Sequence, residues 1–145
     1  MNKKVYQRLL TALILLLCQP VLAQSNGTIV KAFVAAFNDK DVDSMLSLAT
    51  EDVKWMSVSA DIVSIETADR QALRSAMQRY FNSMPTARSE VRQTSESGGF
   101  VYSLEAISWT ANGTEKSQCS MAVYELNAGK IKNVWYFPSH ACSKQ

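Results

Sequence analysis

A single histidine, His140, occurs in the 145 residues, and no Cys/His pairing has metal-ligand spacing. A zinc site therefore has nothing to be built from, and the sequence implies no cofactor. Three prolines and five glycines leave no long linker, and no internal repeat is visible. The apolar run from Leu9 to Cys18 is ten residues, too short to cross a membrane. What that run does resemble is a secretory signal. Lys3, Lys4 and Arg8 precede it, and Val21-Leu22-Ala23 follows with small residues at cleavage spacing, so the expected cut is after Ala23. The alternatives are an uncleaved anchor and a lipoprotein signal at Cys18, where Leu17 occupies a place that wants a small residue.

Removing 23 of 145 residues leaves 122 (24–145), enough for one domain with a core. The signal carries three of the 15 basic residues, leaving 12 against 13 acidic ones, so the net charge moves from +2 to −1. No basic stripe remains to suit nucleic acid, and nothing holds the cleaved chain to a membrane. The expected location is periplasmic or secreted. In such an oxidising compartment the two remaining cysteines, Cys119 and Cys142, can pair if the tail folds back. Otherwise Cys119 is a buried thiol and Cys142 an exposed one.

The residues that are present organise into helices first and strands after. Ile29, Val30, Phe33, Ala36 and Phe37 form an apolar face at helical spacing over 26–37. Asp41 can cap a second, shorter helix with Val42, Met45, Leu46 and Ala49 inward. Val53 to Val58 and Asp61 to Ile65 read as strands across a short turn. A third helix over about 68–83 carries Leu73, Met77, Tyr80 and Phe81 on its buried stripe and stops at Pro85. Four strands follow, at about 88–95, 100–110, 116–126 and 130–137, with turns at Gly98-Gly99, Asn112-Gly113 and Ala128-Gly129. This order predicts an α+β fold, a cone-shaped, curved, mostly antiparallel sheet with three helices on its concave face. Asn26-Gly27-Thr28 and Asn112-Gly113-Thr114 fit the glycosylation sequon, but the first reads better as a helix cap and the second as a turn.

Asn112-Gly113 favours a two-residue turn, which sets Leu104 opposite Met121, Ala106 opposite Cys119 and Tyr102 opposite Val123. That face is nearly all apolar and is expected to line the cone. The other carries Glu105, Ile107, Trp109, Gln118, Ser120 and Tyr124. A two-residue turn at Ala128-Gly129 would add Val134 and Tyr136 to the lining, with Met121 opposite Tyr136. It would put Trp135 and Phe137 outside. A three-residue turn would exchange the last strand's faces. Outward aromatics suggest a homodimer through the outer sheet face.

Phe33 and Phe37 on the first helix, Asp41 to Asp43, and Glu51-Asp52-Val53-x-Trp55 resemble the nuclear transport factor 2-like superfamily. The end block VYEL-x-x-GKI-x-x-VWYFP resembles its SnoaL-like branch, which includes polyketide cyclases and ketosteroid isomerases. The resemblance covers about 27–138 and implies the cone fold. In the isomerases a carboxylate base works with an oxyanion hole made by a Tyr and a protonated Asp. Those three places fall on Phe33, Ser57 and Met121, so the resemblance implies a fold without that machinery.

Candidate residues remain. Glu105 is a buried acid if it points inward; the plainer reading is an outward carboxylate bonded to Gln118 or Ser120. His140 is a candidate base if the tail reaches the cone mouth, and otherwise a solvated tail residue. Trp55, Tyr80, Tyr102, Met121 and Tyr136 are the candidate ligand-binding residues, with ordinary core packing as the alternative. Arg74 and Arg88 could meet an anion or simply face solvent. The resulting expectation is an exported domain binding a small apolar ligand in its cone. The alternatives are an isomerase, cyclase or hydratase using Glu105 or His140, and an interaction module using Trp109, Tyr124 and Trp135.

Overall fold

The computed structural model describes residues 24–142. The expected signal segment, 1–23, lies outside the described residues. Three helices, α1 (Asn26–Asn38), α2 (Val42–Ser47) and α3 (Arg70–Ser83), accompany six strands: β1 (Ala49–Ser59), β2 (Ile62–Thr67), β3 (Arg88–Ser97), β4 (Phe100–Ala111), β5 (Thr114–Asn127) and β6 (Lys130–Tyr136). Each helix begins on a side-chain cap. Ser25, one residue before the expected cap, accepts from the Thr28 amide, Asp41 from Ser44 and Asp69 from Ala72. The Gly27 amide donates to Glu96 Oε1 of β3 at 3.0 Å. A Cβ on Gly27 would sit 2.5 Å from that same oxygen, so a larger residue there would displace the Glu96 side chain and break this bond.

The strands form one sheet in the order β2-β1-β6-β5-β4-β3. Only β1 and β6 run parallel; every other pairing is antiparallel. β1 starts earlier than its pattern suggests because Ala49 pairs with Ile131 of β6. The core between helices and sheet is built on Val30, Phe33, Met45, Leu73, Val101 and Val134.

Both expected two-residue hairpin turns form. Asn112 and Gly113 take φ of 52° and 72°, and Ala128 and Gly129 take 49° and 74°. Ala111 pairs with Thr114, Leu104 with Met121 and Tyr102 with Val123, as the Asn-Gly register requires. The side facing the helices, however, is the opposite of the expected one. Ser103, Glu105 and Tyr124 are buried beneath the helices, while Tyr102 and Met121 stand 41% and 49% exposed on the convex face. The apolar row was expected inside because it is apolar. Instead the inner row contains polar groups that bond to one another, which removes the cost of burying them. Cys119 lies on the convex side and is still only 2% exposed, because it is joined there to Cys142.

In the last hairpin Asn127 pairs with Lys130, but a bulge between Glu125 and Leu126 shifts the ladder by one residue. Tyr136 is therefore opposite Ala122 rather than Met121, and Val134 opposite Tyr124. Tyr136 and Val134 keep their expected inward side, now shared with Tyr124. The tail folds back: Cys119 and Cys142 form a disulfide with Cα atoms 5.0 Å apart. Cys119 and His140 exchange two backbone hydrogen bonds, at 2.9 and 2.8 Å.

Candidate functional site

Between α1, α3 and the concave sheet lies a cavity of about 420 Å³, within the size range of small-molecule sites. Its walls are mainly apolar, with a large aromatic share. Phe33 and Phe37 come from α1, Tyr80 from α3, Trp55 from β1 and Tyr136 from β6. The Trp55 and Tyr136 rings stack with centroids 5.0 Å apart and planes at 18°, and Phe33 packs 5.9 Å from Trp55. This stack fixes the direction of the Tyr136 hydroxyl. The rim is made by Phe137, Pro138 and Ser139, just after β6.

Among the described residues, one carboxylate opens onto this cavity. Glu105 is 4% exposed, and three hydroxyls donate to it. Ser103 and Tyr124 reach Oε1 at 2.7 Å each, and Tyr136 reaches Oε2 at 2.6 Å. The Tyr124 and Tyr136 hydroxyls also lie 3.0 Å from each other. Adjacent strands produce this cluster. Ser103 and Glu105 are alternate residues of β4, Tyr124 is on the facing side of β5, and the β6 bulge brings Tyr136 alongside.

The arrangement has a pattern for each charge state of the acid. As a carboxylate, Glu105 accepts all three hydroxyl protons, and none is left for the tyrosine–tyrosine contact. With one more proton on the carboxyl, the ring Glu105–Tyr136–Tyr124 closes with a proton in every contact. Burial, followed by the negative charge of Glu105, pushes both tyrosines well above their ordinary pKa of 10.0. They are therefore hydrogen-bond donors throughout the physiological range. Burial also raises Tyr80, across the cavity.

Of the candidate residues, Trp55, Tyr80, Glu105 and Tyr136 come together in the cavity wall. Tyr102 and Met121 do not, since both project from the convex face. Glu105 is not the outward carboxylate of the plainer reading: Ser120, though paired with it across the sheet, directs its hydroxyl to the Phe137 carbonyl at 2.6 Å. His140 is exposed on the tail, held by its backbone, outside the cavity lining. Arg74 pairs with Asp43 at 2.7 Å on the helical surface, and Arg88 does not line the cavity either. Of the three isomerase positions, Phe33 and Ser57 do line the cavity, and the Ser57 hydroxyl donates to Glu66 at 2.6 Å. Met121 faces away. Ser103 and Tyr124 are the members of the cluster that the sequence reading missed. Their signal was present in the register, which places Tyr124 on the same side as Glu105. No group of three or more His, Cys, Asp or Glu suited to a metal occurs among the described residues.

Nothing among curated protein sequences matches the chain. Solved structures do resemble it. An uncharacterised cystatin-fold protein from Novosphingobium aromaticivorans superposes with a TM-score of 0.70 at 22% identity, covering 80% of this chain and 100% of that one. A putative polyketide cyclase from Xanthomonas campestris pv. campestris gives 0.59 at 23% identity, covering 78% and 89%. AclR, a putative hydroxylase from Streptomyces galilaeus, gives 0.63 at 16%, covering 77% and 86%. At these identities the likeness is one of fold, the nuclear transport factor 2-like cone. The family model of the SnoaL-like domain matches residues 30–134, which include Glu105, Ser103 and Tyr124 and stop just short of Tyr136, and the chain belongs to that family.

Proposed function

We propose that this protein binds a small, flat, largely apolar molecule in its cone and performs acid–base chemistry on it. Glu105 exchanges the proton, and Tyr136 presents a hydroxyl to an oxygen of the bound molecule. The observation that carries this reading is the position of Glu105, buried on the cavity wall with Tyr136 donating to it at 2.6 Å. A buried carboxyl on a largely apolar cavity wall is a suitable group for moving a proton to or from carbon or oxygen. The reactions such a group supports are isomerisation, cyclisation and hydration. The putative polyketide cyclase among the similar structures is compatible with it.

2-Tetralone, a flat bicyclic ketone with exchangeable α-protons, tests this in D2O by NMR. Deuteration faster than in buffer is expected, with Glu105→Gln losing most of the acceleration, about a hundredfold or more. Binding is followed separately by tryptophan fluorescence. Binding without acceleration would leave the second reading, a carrier or sensor of the same ligand class. The saturation of Glu105 by three hydroxyl donors favours that second reading. Absence of both effects would remove the ligand reading altogether.

Export to the periplasm or medium is part of the same proposal. It is supported by the segment 1–23 and by the Cys119–Cys142 disulfide, which persists in an oxidising compartment. Homodimerisation through the convex sheet face is supported by exposed Tyr102 and Met121 there.

A further inference from the structure

The segment after β6 is the weakest-built wall of the cavity. Phe137, Pro138 and Ser139 line the rim and are themselves exposed. Two residues of β5, Ser120 and Met121, lie between Cys119 and Ala122, whereas three, Phe137, Pro138 and Ser139, lie between their partners, Tyr136 and His140. The extra residue bulges the ladder at Pro138, which has no amide hydrogen to donate. Around the bulge the strap is held by Phe137 N–H to the Met121 carbonyl at 3.0 Å and by Ser120 Oγ to the Phe137 carbonyl. Beyond it, among the described residues, the hydrogen bonds that hold the strap are the pair of backbone bonds between Cys119 and His140. Two such bonds at an exposed chain end fray readily. Here a disulfide lies two residues beyond them, joining Cys142 to a cysteine fixed in the sheet.

We propose that the Cys119–Cys142 disulfide clamps the C-terminal strap as a wall of the cavity, so that residues 137–139 help determine which ligands the site accepts. The clamp acts from the convex side of the sheet, and the strap passes from there over the mouth of the concave side. Glu105, Tyr124 and Tyr136 keep their bonds to one another with or without it, because all three lie on strands before the bulge. The disulfide therefore governs how tightly the cavity holds an apolar molecule and leaves the acid cluster as it is. The ligand half of this inference rests on the proposed function; the clamp half does not.

Cys142→Ser in the full chain tests both halves. Hydrogen exchange at the Phe137 and His140 amides reads the clamp. Binding of 2-naphthol, a flat bicyclic phenol, reads the wall. The expected results are protection at His140 reduced by about tenfold or more, protection at Tyr124 unchanged, and naphthol bound about fivefold more weakly. Unchanged protection at Phe137 and His140 would overturn the clamp. Lost protection with unchanged naphthol affinity would overturn the strap's part in selectivity. Failure of the disulfide-bonded protein to bind naphthol would overturn the ligand reading, while the exchange result still decides the clamp. Should Cys142→Ser not fold, the natural chain reduced with tris(2-carboxyethyl)phosphine supplies the same comparison, and the Tyr124 amide reports whether the sheet is intact.

Discussion

The two faces of this sheet differ in a way that burial alone would not suggest: polar groups lie among the core residues of the inner face, and large apolar side chains stand on the outer one. The concave face lies under α1 and α3 and buries Ser103, Glu105 and Tyr124, whereas the convex face leaves Tyr102 and Met121 largely open. Polar groups are tolerated beneath the helices because each oxygen of the cluster has a partner within 2.6 to 3.0 Å. Apolar groups are tolerated outside because a few exposed side chains cost little. The inner cluster is therefore an interlocked unit, while exposed outer residues such as Tyr102 and Met121 act nearly alone. Removing one member should then have very different consequences on the two sides.

The largest effect is expected at the centre of the unit. Glu105→Ala takes away the acceptor of three hydroxyls. Tyr124 and Tyr136 can still bond to each other, which leaves two donors, the Ser103 hydroxyl and one tyrosine hydroxyl, without their acceptor. The expected loss is about 2 kcal/mol, seen as a lower urea midpoint at unchanged slope. Glu105→Gln, which keeps an acceptor oxygen, should lose less. A variant as stable as the natural chain would show that the inner face is not interlocked.

The tyrosines extend the comparison to pH. Their pKa values are raised in the folded state above the ordinary 10.0, so the folded protein holds these protons more tightly than the unfolded chain. The associated stability is complete below pH 10 and is lost as the pH rises from there through the folded-state values. Thermal midpoints should therefore fall above pH 10. Absorbance at 295 nm should show Tyr124 and Tyr136 ionising only as the protein unfolds. Tyr136→Phe should flatten that alkaline loss and lower stability by about 1 kcal/mol at neutral pH. Ionisation of all tyrosines near pH 10 without unfolding would separate the tyrosines from the buried acid.

Much of the fold was legible in the sequence because local chemistry dictates it. Asp41 caps α2, and the Asn112-Gly113 turn fixes the β4–β5 register over its full length. The candidate site was legible only in part, for two reasons. Alternation along a strand divides residues into two faces, but it does not say which face the helices cover. Here Glu105 and Tyr124 were correctly grouped and assigned to the wrong side. The bulge between Glu125 and Leu126 leaves no mark in the residue pattern, yet it is what brings Tyr136 to Glu105. The disulfide was open in the sequence for a similar reason. It depends on the tail turning back beside Cys119, a consequence of the sheet's order rather than of any local signal.

The smallest effect is expected on the convex face, and its dependence on concentration is informative. For an isolated chain, Met121→Ser or Tyr102→Ser should change stability by less than about 1 kcal/mol. These side chains are already about half exposed, so only part of their apolar area is lost from burial. If the convex face meets a second copy, association adds stability that grows with protein concentration. The natural chain's melting temperature should then rise between low and high micromolar concentration, and Met121→Ser should reduce that rise. The melting temperature of the monomeric protein should be nearly the same for both. A concentration-independent melting temperature in the natural chain would rule out the dimer and leave the convex face as exposed surface. A large loss in Met121→Ser at every concentration would instead show that the outer face is as interlocked as the inner one, ending the contrast between them.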